Sequence, residues 1–161
     1  GFYVARDALE KIHPAVVGWD SVVNAQEFMN YDFSFRPDAR RFEEGSFNVL
    51  RIKALGSSLS LFHEYGMKFI SRRLLGLGDL ILEELRRRNL KVLNSIIPEE
   101  RSGIVSFTGA FDLERFNCYM RNRNVLLTAR DGMIRLSPHF YNTEEEVTRF
   151  FEICDEFFKN F

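Results

Sequence analysis

The sequence has little of what most often announces a specialised chemistry. Its two cysteines, Cys118 and Cys154, are too few for a disulfide framework, and both fall in stretches with helical patterning; a reducing cytoplasm is the expected setting. Its three histidines, His13, His63 and His139, are far apart and show no metal-ligand spacing, so no metal site is expected. There is no surplus of positive charge: 22 basic side chains stand against 23 acidic ones, for a net charge of -1. That balance argues against a nucleic-acid partner. No apolar run approaches the roughly 18 residues needed to cross a bilayer. The opening Gly1-Phe2-Tyr3-Val4 lacks the charged start of a signal peptide, so no membrane partner is expected. Glycine-rich phosphate loops, a serine nucleophile elbow, internal repeats and low-complexity tracts are missing as well.

What is present is core material. Hydrophobic residues make up 45% of the chain, and 17 are phenylalanine, each able to bury a large area. Phe2 to Ala5 reads as the end of a buried strand and Asp7 to Ile12 as a helical turn stopped before Pro14. Residues 15–46 scatter Trp19, Phe28, Tyr31, Phe33, Phe35 and Phe42 among polar residues without period, as a functional loop region does.

Order follows. The stripe Ile52, Leu55, Leu59, Phe62 predicts a helix over 48–65 stopped by Gly66. The stripe Ile70, Leu74, Leu77, Ile81, Leu85 predicts a longer one from Met67 to about Arg88. Within it Glu83 and Glu84 precede Arg87 and Arg88 by four residues, a spacing that supports a helix. Strands are expected at 91–94 and 104–108, a helix at 112–123 on Leu113, Phe116 and Met120, and strands at 125–129 and 133–137. Asp131-Gly132 marks the turn of a hairpin, because both residues tolerate positive φ. The last helix carries Val147, Phe150, Phe151, Cys154, Phe157, Phe158 and Phe161 on one face, with Thr143 and Glu146 spaced as a capping box. From Met67 onward the order α-β-β-α-β-β-α predicts an α+β fold: a small antiparallel sheet with helices packed on one face.

Three constellations carry candidate chemistry. Arg40 to Asn48 places a glycine, Gly45, and a hydroxyl, Ser46, just before a helix start, where free N–H groups bind anions; the plainer reading is that Ser46 caps the helix. Arg135 shares a strand face with Ser137, opposite Ile134 and Leu136. A guanidinium on a rigid strand grips a carboxylate with two parallel hydrogen bonds, though a solvent-facing arginine is the commoner case. In Ser137 to Thr143, His139 is a titratable group, but histidines in such turns more often bond local backbone. The run Arg86-Arg87-Arg88 reads as a solvated helix end favoured by the dipole.

In combination these segments resemble the class V aminotransferases among the fold-type-I PLP enzymes, along nearly the whole chain. Gly1 to Val4 resembles the strand that follows the family's Schiff-base lysine, and Gly18-Trp19 its Gly-Trp pair. Arg41-Phe42-Glu43-Glu44-Gly45-Ser46-Phe47-Asn48 resembles the Arg-Phe-Glu-x-Gly-Thr-x-Asn signature, and 102–107 the Ser-Gly-Ile-Val-Ser-Phe strand. Arg135 to Glu146 resembles the run Arg-x-Ser-Pro-His-Phe-Tyr-Asn-Thr-Glu-Glu-Glu. Five matches in order are far more specific than any one of them.

The resemblance implies a C-terminal portion of a longer PLP-dependent aminotransferase acting on an amino acid as a homodimer. It assigns residues 1–66 to a remnant of the large cofactor-binding domain and 67–161 to the small domain with its long bridging helix. Gly45 and Ser46, with serine in place of threonine, would touch the PLP phosphate of the neighbouring subunit; Arg135 would hold the substrate α-carboxylate, and Trp19 would line the substrate site. The lysines are Lys11, Lys53, Lys68, Lys91 and Lys159, and none stands where the Schiff base belongs. The isolated chain is therefore expected to hold no PLP and to be inactive. Cysteine desulfurases, lyases and epimerases share the scaffold; the desulfurase reading is disfavoured because residues 125–137 contain no cysteine. A different class, a free-standing α+β interaction or regulatory module, explains the short length directly but gives no use to the aromatic-rich first 47 residues.

Overall fold

A computed structural model describes residues 2–160. The chain divides into two compact units, residues 1–57 and 58–161, with helix α1 (Val49–Tyr65) running across the boundary.

In the first unit the expected strand at Phe2 to Ala5 does not form: these residues pair with no other strand, and Phe2 and Tyr3 are exposed. Extended backbone needs a partner strand, and this unit offers none there. The loop region is held instead by polar ties. Ser21, fully buried, accepts from the Gly18 N–H (3.2 Å) and donates to the Glu43 carbonyl (3.0 Å). Arg36 donates to the Asp20 backbone and carboxylate, both at 2.8 Å. Arg41 donates to the carbonyls of Arg36 and Leu9. Asp38 caps a short 3-10 turn at Ala39–Phe42. Hydrogen bonds from the Arg40 side chain and backbone hold its carboxyl down at about 2.

The second unit carries the core. Helix α2 (Met67–Arg87) leads to strands β1 (Lys91–Val92) and β2 (Val105–Thr108), then helix α3 (Leu113–Arg121), strands β3 (Thr128–Arg130) and β4 (Met133–Leu136), and helix α4 (Glu144–Asn160). The four strands form one antiparallel sheet in the order β1-β2-β4-β3, and the fold is the α+β architecture expected. Ile70, Leu77, Ile81 and Leu85 of α2 are buried as their spacing predicts. Phe107 and Ile134 from the sheet, Phe116 and Met120 from α3, and Phe151, Cys154 and Phe157 from α4 close the core around Leu77, Ile81 and Leu85. Asp131 and Gly132 take φ of 54° and 77°, the mirror-image turn that matches strand twist. The α4 cap is reciprocal: Thr143 N–H donates to Glu146 Oε2 (3.0 Å), and Glu146 N–H to Thr143 Oγ (3.2 Å). Phe161, expected on the α4 face, lies outside the described residues.

Three local expectations change. Strand β3 begins at Thr128 rather than Val125, because Val125 N–H still bonds back to the Met120 carbonyl as the exit from α3. Of the arginine run, Arg86 and Arg87 are exposed at the helix end as expected, and Arg88 departs from it. Arg87 pairs with Glu83 and Glu84, while Arg88 donates to both carboxylate oxygens of Asp155 at 2.7 Å and lies 4.7 Å over the Phe151 ring. A bidentate bond on an aromatic face outweighs hydration of that guanidinium. His139 makes no side-chain bond to local backbone: its Nδ1 is buried without a partner, and the ring is packed against Phe62, Phe140 and Tyr141.

Two predictions arise here. The Arg88 hydrogen bonds lower the Asp155 pKa, as the Arg73 hydrogen bond does that of Glu144. Both groups therefore bind protons less readily folded than unfolded, so their contribution is present above the unfolded carboxylate range. It is lost as pH falls through the lower folded values. Urea unfolding midpoints are expected to drop below about pH 4, with a shallower drop in Asp155→Asn. For the thiols, burial pushes the Cys154 pKa far up, whereas Cys118 is exposed. A thiol reagent should label one cysteine in the native chain and the second only on unfolding.

Candidate functional site

The sheet positions Arg135. Within β4, Ile134 pairs with Phe107 and Leu136 with Val105 toward the core, while Arg135 stands between Ser106 of β2 and Thr128 of β3. It therefore lies on the open face of a strand hydrogen-bonded on both sides. Its guanidinium is exposed and makes no ion pair or hydrogen bond among the described residues. That is the state a carboxylate clamp requires before its ligand arrives: fixed backbone, five unspent donors.

The cavity nearest in sequence is not in front of Arg135. A space of about 440 Å³ lies between the α3–β3 connection and α4, bordered by Asn124, Leu136, Pro138, Arg149 and Phe150. Leu136 and Ser137 both border it, and Arg135 is not among its lining residues.

Gly45 and Ser46 belong to the first unit, in the bend ahead of α1. Ser46 is not the helix cap: Asn48 is, its Oδ1 accepting from the Arg51 N–H at 3.0 Å. That leaves the Gly45 and Ser46 N–H groups and the Ser46 hydroxyl exposed or half-exposed, with no partner among the described residues. The neighbouring arginines do not join them, because Arg40 is held by Asp38 and Arg41 by carbonyls. Gly45 lies against Trp19: a Cβ at residue 45 would stand 2.7 Å from the indole Nε1 and displace the ring. Gly18, just before the indole, is crowded further, since its Cβ would meet the Glu44 carbonyl oxygen at 1.8 Å. The structure therefore brings Gly18, Trp19, Gly45 and Ser46 together, while Arg135 belongs to the other unit. Sequence reasoning missed Ser21 and Asn48. Ser21 follows the Gly-Trp pair by two residues, and its tie to Glu43 spans 22 positions, beyond the reach of any local pattern.

A bend with unsatisfied N–H groups and a hydroxyl, its glycine packed against the Trp19 indole, fits a phosphate. An unpaired strand arginine fits a carboxylate. The helix-backed antiparallel sheet that carries Arg135 is, in class, an α+β fold. The profile of the family Aminotransferase class-V matches residues 2–150, and the chain belongs to that family.

Among its relatives is the uncharacterized aminotransferase YcbU of Bacillus subtilis (strain 168). It is 24% identical over 148 residues, covering 90% of this chain and 37% of the relative. A probable cysteine desulfurase of Borreliella burgdorferi is 26% identical, covering 92% and 39%. The apo cysteine desulfurase of Thermococcus onnurineus NA1 superposes with a TM-score of 0.87 at 18% identity, covering 99% of this chain and 42% of that one. The chain thus spans under half the length of the proteins it matches. No helix among the described residues is long and apolar enough to cross a membrane.

Proposed function

We propose that this chain is the C-terminal part of a PLP-dependent aminotransferase that acts on an amino acid as a cytoplasmic homodimer. Residues 1–66 would belong to its large domain and residues 67–161 to its small one. The observation that carries the reading is Arg135, an arginine without a counter-ion on the open face of the β4 strand. When bound, the cofactor supplies the electron sink for bond breaking at the substrate Cα. The residues of this chain do the holding. Gly45 and Ser46 would donate N–H and O–H groups to the cofactor phosphate of the neighbouring subunit, Trp19 would wall the substrate, and Arg135 would fix its α-carboxylate so that the Cα is oriented.

The chain's own cysteines favour transamination over desulfuration. Cys154 is sealed in the core and Cys118 sits on α3 beside Asn122, so neither is a mobile thiol near Arg135. A lyase or epimerase would use the same arginine, and the donor assay separates these outcomes.

The test is the full-length gene product, purified and scanned for a visible cofactor band, then given a panel of amino acids. Cofactor absorbance and donor-dependent keto-acid formation are expected; a full-length protein that binds no PLP ends the proposal. The 161-residue chain alone, mixed with PLP and treated with borohydride, is expected to gain no cofactor on any of its lysines.

A further inference from the structure

The first unit holds a cavity of its own, about 290 Å³, near the lower bound of small-molecule sites. Four aromatic residues line it, Trp19, Phe28, Tyr31 and Phe33, together with the acidic residues Glu27 and Asp32. No lysine, arginine or histidine is among the lining residues.

The loop that carries these residues has a fixed base. Val22 and Phe35 form an antiparallel bridge, and Val23 N–H donates to the Ser34 carbonyl at 2.9 Å. Both carboxylates are oriented. Glu27 Oε2 accepts from Asn30 Nδ2 at 2.9 Å. Asp32 Oδ1 accepts from the Ser34 N–H (2.9 Å) and hydroxyl (2.7 Å). The second oxygen of each accepts nothing among the described residues. The nearby arginines are engaged elsewhere, Arg36 with Asp20 and Arg40 with Asp38.

Such a lining discriminates by charge. Aromatic faces carry the negative end of the ring quadrupole, and a cation within roughly 6 Å of a ring centroid is attracted to it. The Trp19 and Phe28 rings stand 6.1 Å apart, tilted by 53°, and both residues border the cavity. Two carboxylates add Coulombic attraction for a cation and repulsion for an anion. A burial-driven site for a neutral apolar ligand has no use for either acid.

We propose that this cavity binds the alkylammonium group of a small organic cation. The site stands on residues 17–33 alone and does not depend on the cofactor reading.

Trp19 is the only tryptophan in the chain, so its fluorescence reports on the cavity directly. The experiment titrates the 161-residue chain, without PLP, with choline and with 3,3-dimethylbutan-1-ol, in which carbon replaces the charged nitrogen. Sodium chloride at matched ionic strength is the blank. A saturable change with choline is expected, with an affinity at least about tenfold above that for the alcohol. The double variant Glu27→Gln, Asp32→Asn keeps the acceptor oxygens that organise the loop and should lose about tenfold in choline affinity. Its unfolding midpoint should be unchanged. Phe28→Leu, which keeps the bulk and removes the ring, should weaken choline and leave the alcohol unaffected. Equal affinity for the alcohol, no saturable response to choline, or undiminished binding by the double variant would overturn the assignment. None of these outcomes bears on whether the full-length protein carries PLP.

Discussion

In the full-length gene product, Arg135→Met should lower kcat/KM for the amino donor by on the order of 10²–10⁴-fold. Two charge-assisted hydrogen bonds are lost, each worth about 1.5–3 kcal/mol, and about 1.4 kcal/mol is a factor of ten. The same substitution in the 161-residue chain should leave the unfolding midpoint within about 0.5 kcal/mol, since the side chain is exposed and touches no charged partner. Arg135→Lys keeps the charge but not the fork and should recover only part of the loss. Steady-state kinetics over several donors is the measurement, and a methionine variant within threefold of the natural protein would remove Arg135 from the substrate.

The largest effect on stability is expected from Gly18→Ala. The new methyl would stand 1.8 Å from the Glu44 carbonyl oxygen and 2.5 Å from its carbon. Backbone lies on both sides of that clash, so no rotamer relieves it. Overpacking typically costs about 1–3 kcal/mol, and here the upper end or more applies. Separating the two segments also breaks the Ser21 bridge from Gly18 to Glu43. Denaturant unfolding followed by Trp19 fluorescence reads this unit directly. Gly76→Ala is the control: it lies on the exposed side of α2 with nothing within 4 Å of the added carbon, and should stabilise by about 0.5–1 kcal/mol. If the two substitutions behave alike, the packing of residue 18 against residue 44 is wrong.

Much of the second unit was legible because its signals are local. The α2 and α4 stripes repeat at helical spacing, the Thr143–Glu146 cap closes over three residues, and Asp131-Gly132 is a turn by conformational preference alone. The order β1-β2-β4-β3 was not legible, since β2 skips β3 to pair with β4 and nothing in either strand names its partner. Burial was legible only where this chain supplies the partner. The α1 stripe has the same spacing as that of α2, yet none of its residues is buried. Arg88 read as a helix-end charge because Asp155, its counter-ion, is 67 residues away. For the candidate site, the strand alternation around Arg135 was local and held. The freeing of Ser46 was not legible, because Asn48 and Ser46 are equally good capping residues and only geometry chooses.

The strand order also bears on how Arg135 reaches its place. The β3–β4 hairpin closes over a two-residue turn and belongs to the events that finish within microseconds. Docking β4 onto β2 must first close a loop of some two dozen residues that contains α3, which places it later in assembly. Arg135 thus takes its direction from the hairpin and its rigidity from the docking. A lesion in the β2–β4 seam would leave a correctly aimed guanidinium on a ribbon too loose to select among acids.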